Sequence, residues 1–455
     1  MSVAEAAAPL VHGPICVLGL WHLGTVTAAC LAEAGYDVIG ADPDAAVVAE
    51  LREGRLPVFE PGLAELIEGQ RAAGHLRFAT DAARAVRDAT VVWVTFDTPV
   101  DDEDRADVAS VLDAASTLLT EAAPGTLVVI SSQLPVGSVR ELESRCAARR
   151  GAADLALTCV PENLRLGSAL ESFRRPDRIV AGTRNAAVRD RMAALLSPFC
   201  DHVEWMGVES AEMTKHAINS FLATSVTFIN EISTICEQVG ADAAEVARGL
   251  KSERRIGPRA YLSPGDAFAG GTLARDIAFL REQADRGALP THLLAGVQQS
   301  NDVHKNWVRR TLANVLDVIP GRRVALWGLT YKPGTDTLRR SGAIALCSWL
   351  LENGATVRLH DPVVRALPDH LAAHVQLADD ALRAAAGAEA LVLCTPWPEY
   401  RAFAARDLLA VAPDVIVIDA GGFLKQSLGG APEVRYVQVG SAWPALKEQQ
   451  EGDLT

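Results

Sequence analysis

Short apolar runs recur along the first 206 residues, and between them the apolar positions return every three or four residues. Ile15-Cys16-Val17-Leu18-Gly19, Tyr36-Asp37-Val38-Ile39-Gly40, Val91-Val92-Trp93-Val94, Leu127-Val128-Val129-Ile130 and Arg178-Ile179-Val180-Ala181 read as strands. Helical spacing covers 26–34 and 108–119. Repeated strand–helix units of this kind predict a parallel, doubly wound sheet. The middle of the chain changes period. One helical pattern without Pro or Gly covers 209–238, and others follow at 243–250, 276–286 and 292–317. Alternation returns with Arg323-Val324-Ala325-Leu326-Trp327, strands at 356–360, 390–394 and 415–419, and a helix at 341–353. The pattern predicts two α/β halves of one architecture flanking a helical middle, with a loose polar tail after Gly440.

Composition is consistent with this. A chain of 455 residues holds two or three domains, and 49% hydrophobic with 22% charged residues suits a globular core. The net charge of −14 argues against a nucleic-acid-binding surface, although backbone donors can still bind an anionic ligand. None of the eight cysteines forms a CxxC pair, and no metal is expected. Buried free thiols in a reducing cytoplasm are expected instead. The first ten residues lack the basic-then-apolar pattern of a secretory signal, and no apolar run is long enough to span a bilayer.

Gly19-Leu20-Trp21-His22-Leu23-Gly24 joins the first strand to the first helix, where a dinucleotide-binding turn belongs. The first and last glycines are present. Trp21 holds the middle position, through which the backbone approaches pyrophosphate. Asp42 closes the second strand at the offset of the acid that takes the adenosine ribose hydroxyls, which favours NAD over NADP. His22 suits a supporting role behind the turn. The competing reading is a structural turn that has lost its cofactor.

Further segments run in order along the chain: Phe59-Glu60-Pro61-Gly62-Leu63, Thr98-Pro99, Pro161-Glu162-Asn163-Leu164-Arg165 and Pro176-Asp177-Arg178-Ile179-Val180-Ala181-Gly182. Ala211-Glu212-Met213-Thr214-Lys215, Tyr261-Leu262-Ser263-Pro264-Gly265 and Gly328-Leu329-Thr330-Tyr331-Lys332-Pro333-Gly334 follow. Together they resemble the UDP-glucose/GDP-mannose dehydrogenase family, matching its EPGL, GTP, PEFLRE, PDRIVxG and YLSPGxGFGGxCxxKD segments, with Asp97 replacing the glycine of GTP. The resemblance implies an α/β fold with two Rossmann-like, doubly wound parallel-sheet domains joined by a helical dimerisation region. It implies an NAD-binding domain over 1–206, a central domain carrying the substrate loop over 207–317, and a nucleotide-sugar-binding domain over 318–455. It also implies a homodimer, NAD as cofactor and a nucleotide sugar as substrate. Gly19, Trp21, His22, Leu23, Gly24, Asp42 and Thr98 then fall at the cofactor.

Lys215 and Asn219 lie four residues apart on one predicted helix and so share a face. By the resemblance they stand beside the reacting alcohol, stabilise developing oxyanion charge and, with Asp276, hold a water. Glu162 matches the first glutamate of PEFLRE. Leu164, Arg165, Tyr261, Ser263, Gly265, Lys332 and Arg339 are expected to line the substrate, the last two meeting its diphosphate. The departures are concentrated. Gln133 stands for a threonine, Leu166 for the second glutamate, Arg275 for a lysine, and Gly421 falls in a turn that carries an arginine. Thr272 replaces the cysteine that captures the intermediate aldehyde. A threonine hydroxyl without an adjacent base is a poor nucleophile, and a helix N-cap is the favoured role for it.

Three functions compete. The first is an NAD-dependent oxidoreductase that takes two electrons from a CH–OH group and omits the acid-forming step. The second is a redox-neutral epimerase that returns the hydride. The third is a non-catalytic nucleotide-sugar-binding protein, which Trp21 and Asp97 favour. Lys215, Asn219 and Asp276 favour the first two, because a binder has little use for a buried charged trio.

Overall fold

The computed structural model describes residues 13–99, 101, 106–150, 155–268, 271–338 and 341–441. They form two compact units. One runs to Ile218 and takes in Ala278–Leu280; the other comprises Asn219–Ile277 and the chain from Arg281.

The first unit is built on eight strands: β1 (Ile15–Leu18), β2 (Val38–Ala41), β3 (Leu76–Ala79), β4 (Val91–Val94), β5 (Leu127–Ile130), β6 (Ala156–Cys159), β7 (Ile179–Gly182) and β8 (Val203–Met206). Their order is β3-β2-β1-β4-β5-β6-β7-β8. Pairing is parallel as far as β6. There β7 turns antiparallel, at the Cys159–Gly182 pair, and β8 runs parallel to β7. The reversal departs from the all-parallel expectation. The central strands β1, β2, β4 and β5 are buried at every position, because helices cover both faces of the sheet. The order reverses between β1 and β4, which places a crevice at the carboxyl ends of those strands.

In the second unit the strands are β9 (Arg323–Trp327), β10 (Thr356–His360), β11 (Gln376–Leu377), β12 (Ala390–Leu393), β13 (Ile416–Ile418) and β14 (Arg435–Val437). They are ordered β11-β10-β9-β12-β13-β14 and all parallel. This repeats the first six strands of the other sheet, as the two alternating halves of the sequence predict.

The long middle pattern is one helix, Val208–Val239. The stretch expected as one helix over 292–317 is two, His292–His304 and Trp307–Leu316. The Lys305 and Asn306 amides turn back to the carbonyls of Asn301 and Val303, which closes the first helix. The break lets Trp307 bury its ring and donate Nε1–H to Glu237 at 2.9 Å.

Glu209 stands in the first turn of the long helix. It accepts from Arg184 at 2.7 and 2.9 Å and from Arg140 at 2.7 and 3.1 Å. The Arg184 guanidinium, with help from Arg140, holds this carboxyl down at about 2, against an ordinary 4.5. The stability it contributes is present above pH 4.5 and is lost as pH falls toward 2. Because the pair is a third exposed, Glu209→Gln is expected to cost only about 1 kcal/mol at neutral pH. In urea melts, the gap between wild type and variant should close across that acidic window.

Candidate active site

The cofactor turn keeps its shape. Gly19 has φ +97°, and a Cβ there would lie 2.7 Å from Phe96; a Cβ on Gly24 would lie 1.7 Å from the Gly19 carbonyl oxygen. Both glycines are therefore fixed by packing. Trp21 caps the first helix, His22–Glu33, with φ −77° and ψ −161°, which any residue adopts, and its side chain is 46% exposed. Its backbone thus needs no glycine. Leu23 faces an apolar cavity with Thr27 and Trp93. His22 Nε2 lies 2.9 Å from Glu60, a buried carboxylate that also accepts the Gly167 and Ala169 amides at 2.8 Å. Thr98 is buried and donates its hydroxyl to the Gln133 carbonyl at 2.7 Å, so its side chain holds the neighbouring loop.

Asp42 distinguishes the two sheets. It accepts the Leu20 amide at 2.7 Å and the Asp44 amide at 2.9 Å, leaving carboxylate lone pairs for ribose hydroxyls. Its counterpart in the second unit, Asp361, accepts five donors: the amides of Leu329, Thr330, Val363 and Val364, and Trp397 Nε1. That carboxylate is saturated. The residues of the first unit fit a dinucleotide, and those at the equivalent turn of the second do not.

A cleft of about 350 Å³ opens at the carboxyl ends of β5 and β6. Lys215 Nζ lies 3.1 Å from Glu162 Oε1, and Glu162 Oε2 accepts the Leu164 amide at 2.9 Å. Gln133 lines the same cleft. Its walls also carry groups to which the sequence reading gave no role. Glu212 accepts the Gly137 and Val139 amides at 2.7 and 2.9 Å. Burial raises its pKa against those two hydrogen bonds. His216 donates Nε2–H to the Leu134 carbonyl at 3.0 Å and meets Phe279 edge-on. The Ser132 hydroxyl is buried without a partner. Helical spacing could have found Glu212 and His216, since Glu212 stands three residues before Lys215 and four before His216. Burial pushes the Cys159 thiol, also in this cleft, well above its ordinary pKa, and the Glu212 charge adds to the shift.

In the second unit, Asn219 donates Nδ2–H to the Asp276 carboxylate, and the two are 6% and 0% exposed. Thr272 is not the N-cap. Gly271 takes that position with φ +96° and ψ −133°, a conformation open only to glycine, and this moves Thr272 into the first turn of the helix Thr272–Arg286. The Thr272 side chain is exposed and has no hydrogen-bonded base among the described residues. The substrate loop is pinned by Asn230, whose Oδ1 accepts the Gly265 amide at 3.1 Å, and by His304, which donates to the Gly265 carbonyl at 2.8 Å. Tyr261 and Ser263 are exposed, and so is Arg165 in the first unit. Lys332 is partly buried; Arg339 lies outside the described residues.

A glycine-cornered turn beside a carboxylate with free lone pairs, and a lysine–carboxylate cleft beyond the strand ends, fit an NAD-dependent oxidoreductase acting on a CH–OH group. Three domain descriptions match along the chain: the UDP-glucose/GDP-mannose dehydrogenase family NAD binding domain over 14–200, its central domain over 209–303, and its UDP binding domain over 325–426. The chain is 36% identical over 401 residues to UDP-glucose 6-dehydrogenase of Pseudomonas aeruginosa, covering 85% of this chain and 88% of that one. It is 34% identical to the Rhizobium meliloti enzyme of the same name, covering 94% and 99%. A UDP-glucose dehydrogenase from Pyrobaculum islandicum superposes with a TM-score of 0.83 at 27% identity, covering 98% and 100%. The protein belongs to the UDP-glucose/GDP-mannose dehydrogenase family, and its cofactor is NAD.

Proposed function

We propose that this chain oxidises a CH–OH group of a nucleotide-linked sugar by one electron pair and releases the carbonyl product, without forming an acid. The observation that carries the first part is the Lys215–Glu162 pair, 3.1 Å apart in a cleft at the strand ends. Glu162 orients Lys215, so the ammonium is preorganised to stabilise an alkoxide forming beside it. Asn219 shares a helix face with Lys215 whatever the arrangement of the rest of the chain. Asn219 fixes the Asp276 carboxylate, which is suited to hold the water that takes the hydroxyl proton. NAD, when bound at Gly19, Gly24 and Asp42, supplies the hydride acceptor.

The second part rests on what is missing. Among the described residues Thr272 has no hydrogen-bonded base, Leu166 offers no carboxylate, and Cys159 is held protonated by burial. Tyr261, Ser263 and Gly265 of the substrate loop, with Lys332 and Arg339 of a C-terminal binding domain over 318–455, are assigned to the nucleotide sugar. A screen of nucleotide sugars with NAD, reading NADH and product mass together, tests the assignment. Net NADH supports it. Product without NADH supports an epimerase instead, and no product from any sugar supports a binder.

A homodimer is part of the same proposal. Phe221, Phe228 and Ile235 are exposed at seven-residue intervals along the helix Val208–Val239. Such an apolar stripe suits a second copy of the helix. Phe221→Glu with Phe228→Glu should convert the dimer to a monomer by light scattering at micromolar concentration; a wild-type monomer would count against it. Eight free cysteines support a reducing, cytoplasmic setting, and no described helix is long and apolar enough to cross a membrane.

A further inference from the structure

One buried carboxylate ties together three segments of the first unit that are remote in sequence. Glu60 is 2% exposed. Its Oε2 lies 2.9 Å from His22 Nε2, in the cofactor turn, and accepts the Gly167 amide at 2.8 Å. Its Oε1 accepts the Ala169 amide, also at 2.8 Å. Those two amides stand at the end of the run 160–168, which has no strand or helix and carries Glu162, Leu164 and Arg165. The start of the run is held on β5, where the Val160 amide donates to the Ile130 carbonyl at 3.0 Å.

Helix capping explains part of this arrangement. Ser168 holds the N-cap position of the short helix Ala169–Arg174 and makes no side-chain bond there, so Glu60 accepts the first amide in its place. Gly167 has φ +88°, and a Cβ there would meet nothing within 4 Å. The backbone conformation rather than space therefore calls for glycine, and in that conformation its amide meets Glu60. Capping does not explain His22. The ring reaches Glu60 from the first residue of the helix His22–Glu33, and the last residue of that helix, Glu33, pairs with Arg174 at 2.6 and 2.7 Å. The two helices are thus fastened at both ends. The Arg174 fastening is partly exposed and holds weakly; the buried one, with three donors on one carboxylate, lies beside the cofactor turn.

We propose that Glu60 is a positioning residue: through His22 it couples the cofactor turn to the loop that carries Glu162. A ligand that orders the turn orders His22, and Glu60 passes that order to the Gly167 and Ala169 amides. The coupling rests on the redox assignment only in that Glu162 orients Lys215. The test is amide hydrogen exchange, read by mass spectrometry, on the full-length protein with and without NADH. Calorimetry first fixes the NADH concentration that saturates each chain, and ligand-free melting temperatures report whether each one folds. NADH is expected to slow exchange across 163–170 about tenfold in the wild type, and less than about twofold in His22→Phe and in Glu60→Gln. His22→Phe leaves the helix Ala169–Arg174 capped, so it decides the matter if Glu60→Gln does not fold. A folded Glu60→Gln that no longer binds NADH supports the coupling as well, because linkage is reciprocal and Glu60 reaches the turn through His22. Absence of slowing in the wild type overturns the proposal. So does slowing of wild-type size in His22→Phe, which would leave Glu60 a helix cap and nothing more. The readout is exchange rather than turnover, so its failure is distinguishable from failure of the redox assignment.

Discussion

With its nucleotide-sugar substrate and excess NAD, the protein is expected to form at most one NADH per sugar consumed and a carbonyl product rather than a carboxylate. The reason lies at the start of the helix Thr272–Arg286. By the resemblance, a cysteine there holds the first-formed aldehyde as a covalent adduct through a second hydride transfer. Thr272 is exposed, has no hydrogen-bonded base among the described residues, and has a hydroxyl almost wholly protonated at neutral pH. The thiol that lines the Lys215 cleft, Cys159, is kept from ionising by burial. A second route is chemically open. An aldehyde hydrates to a gem-diol, and loss of a second hydride from that diol needs no adduct. NADH counted against sugar consumed separates the two. Two equivalents together with a carboxylate would overturn the prediction and show the cysteine to be dispensable here.

Lys215→Ala is expected to lower kcat by about 10²–10³-fold, with little change in KM. The ammonium is the only cation lining the Glu162 cleft in the first unit, among the described residues. It interacts most strongly with charge that exists only in the transition state, so its removal should appear in kcat. The variant leaves Glu162 without its partner, and a loss of folding would imitate a loss of catalysis. Glu162→Gln controls for this, because it removes the same ion pair and keeps the lysine. A smaller drop in Glu162→Gln than in Lys215→Ala supports oxyanion stabilisation. Near-normal turnover in Lys215→Ala removes the residue from the mechanism.

Much of the fold was legible in local pattern. Strands buried on both faces leave continuous apolar runs, and β4, β5 and β9 have the bounds expected from the sequence. The helix Val208–Val239 extends one residue beyond its expected span at either end, because nothing in 209–238 interrupts the 3.6-residue period. Weakly patterned elements were not legible. β3 and β8 are flanked by charge and only partly buried, and the antiparallel pairing of β7 with β6 is not set by local pattern. The break at Lys305 and Asn306 carries no Pro or Gly; it serves the burial of Trp307 against Glu237, which no local signal encodes.

The sequence by itself determined the two alternating halves, the glycine corners of the cofactor turn, and the residue types available for chemistry, since each depends on near neighbours in the chain. Only the tertiary structure decided what those residues do to one another. It paired Lys215 with Glu162 and Asn219 with Asp276, and it placed Glu212 and His216 in the cleft. Glycine's unique access to the Gly271 conformation moved Thr272 off the helix cap. The turns at Asp42 and Asp361 read alike in sequence, yet one carboxylate keeps free lone pairs and the other is filled by five donors. Hydrogen-bond capacity depends on which groups the fold brings within 3 Å or so, and that is set by packing between distant segments rather than by local pattern.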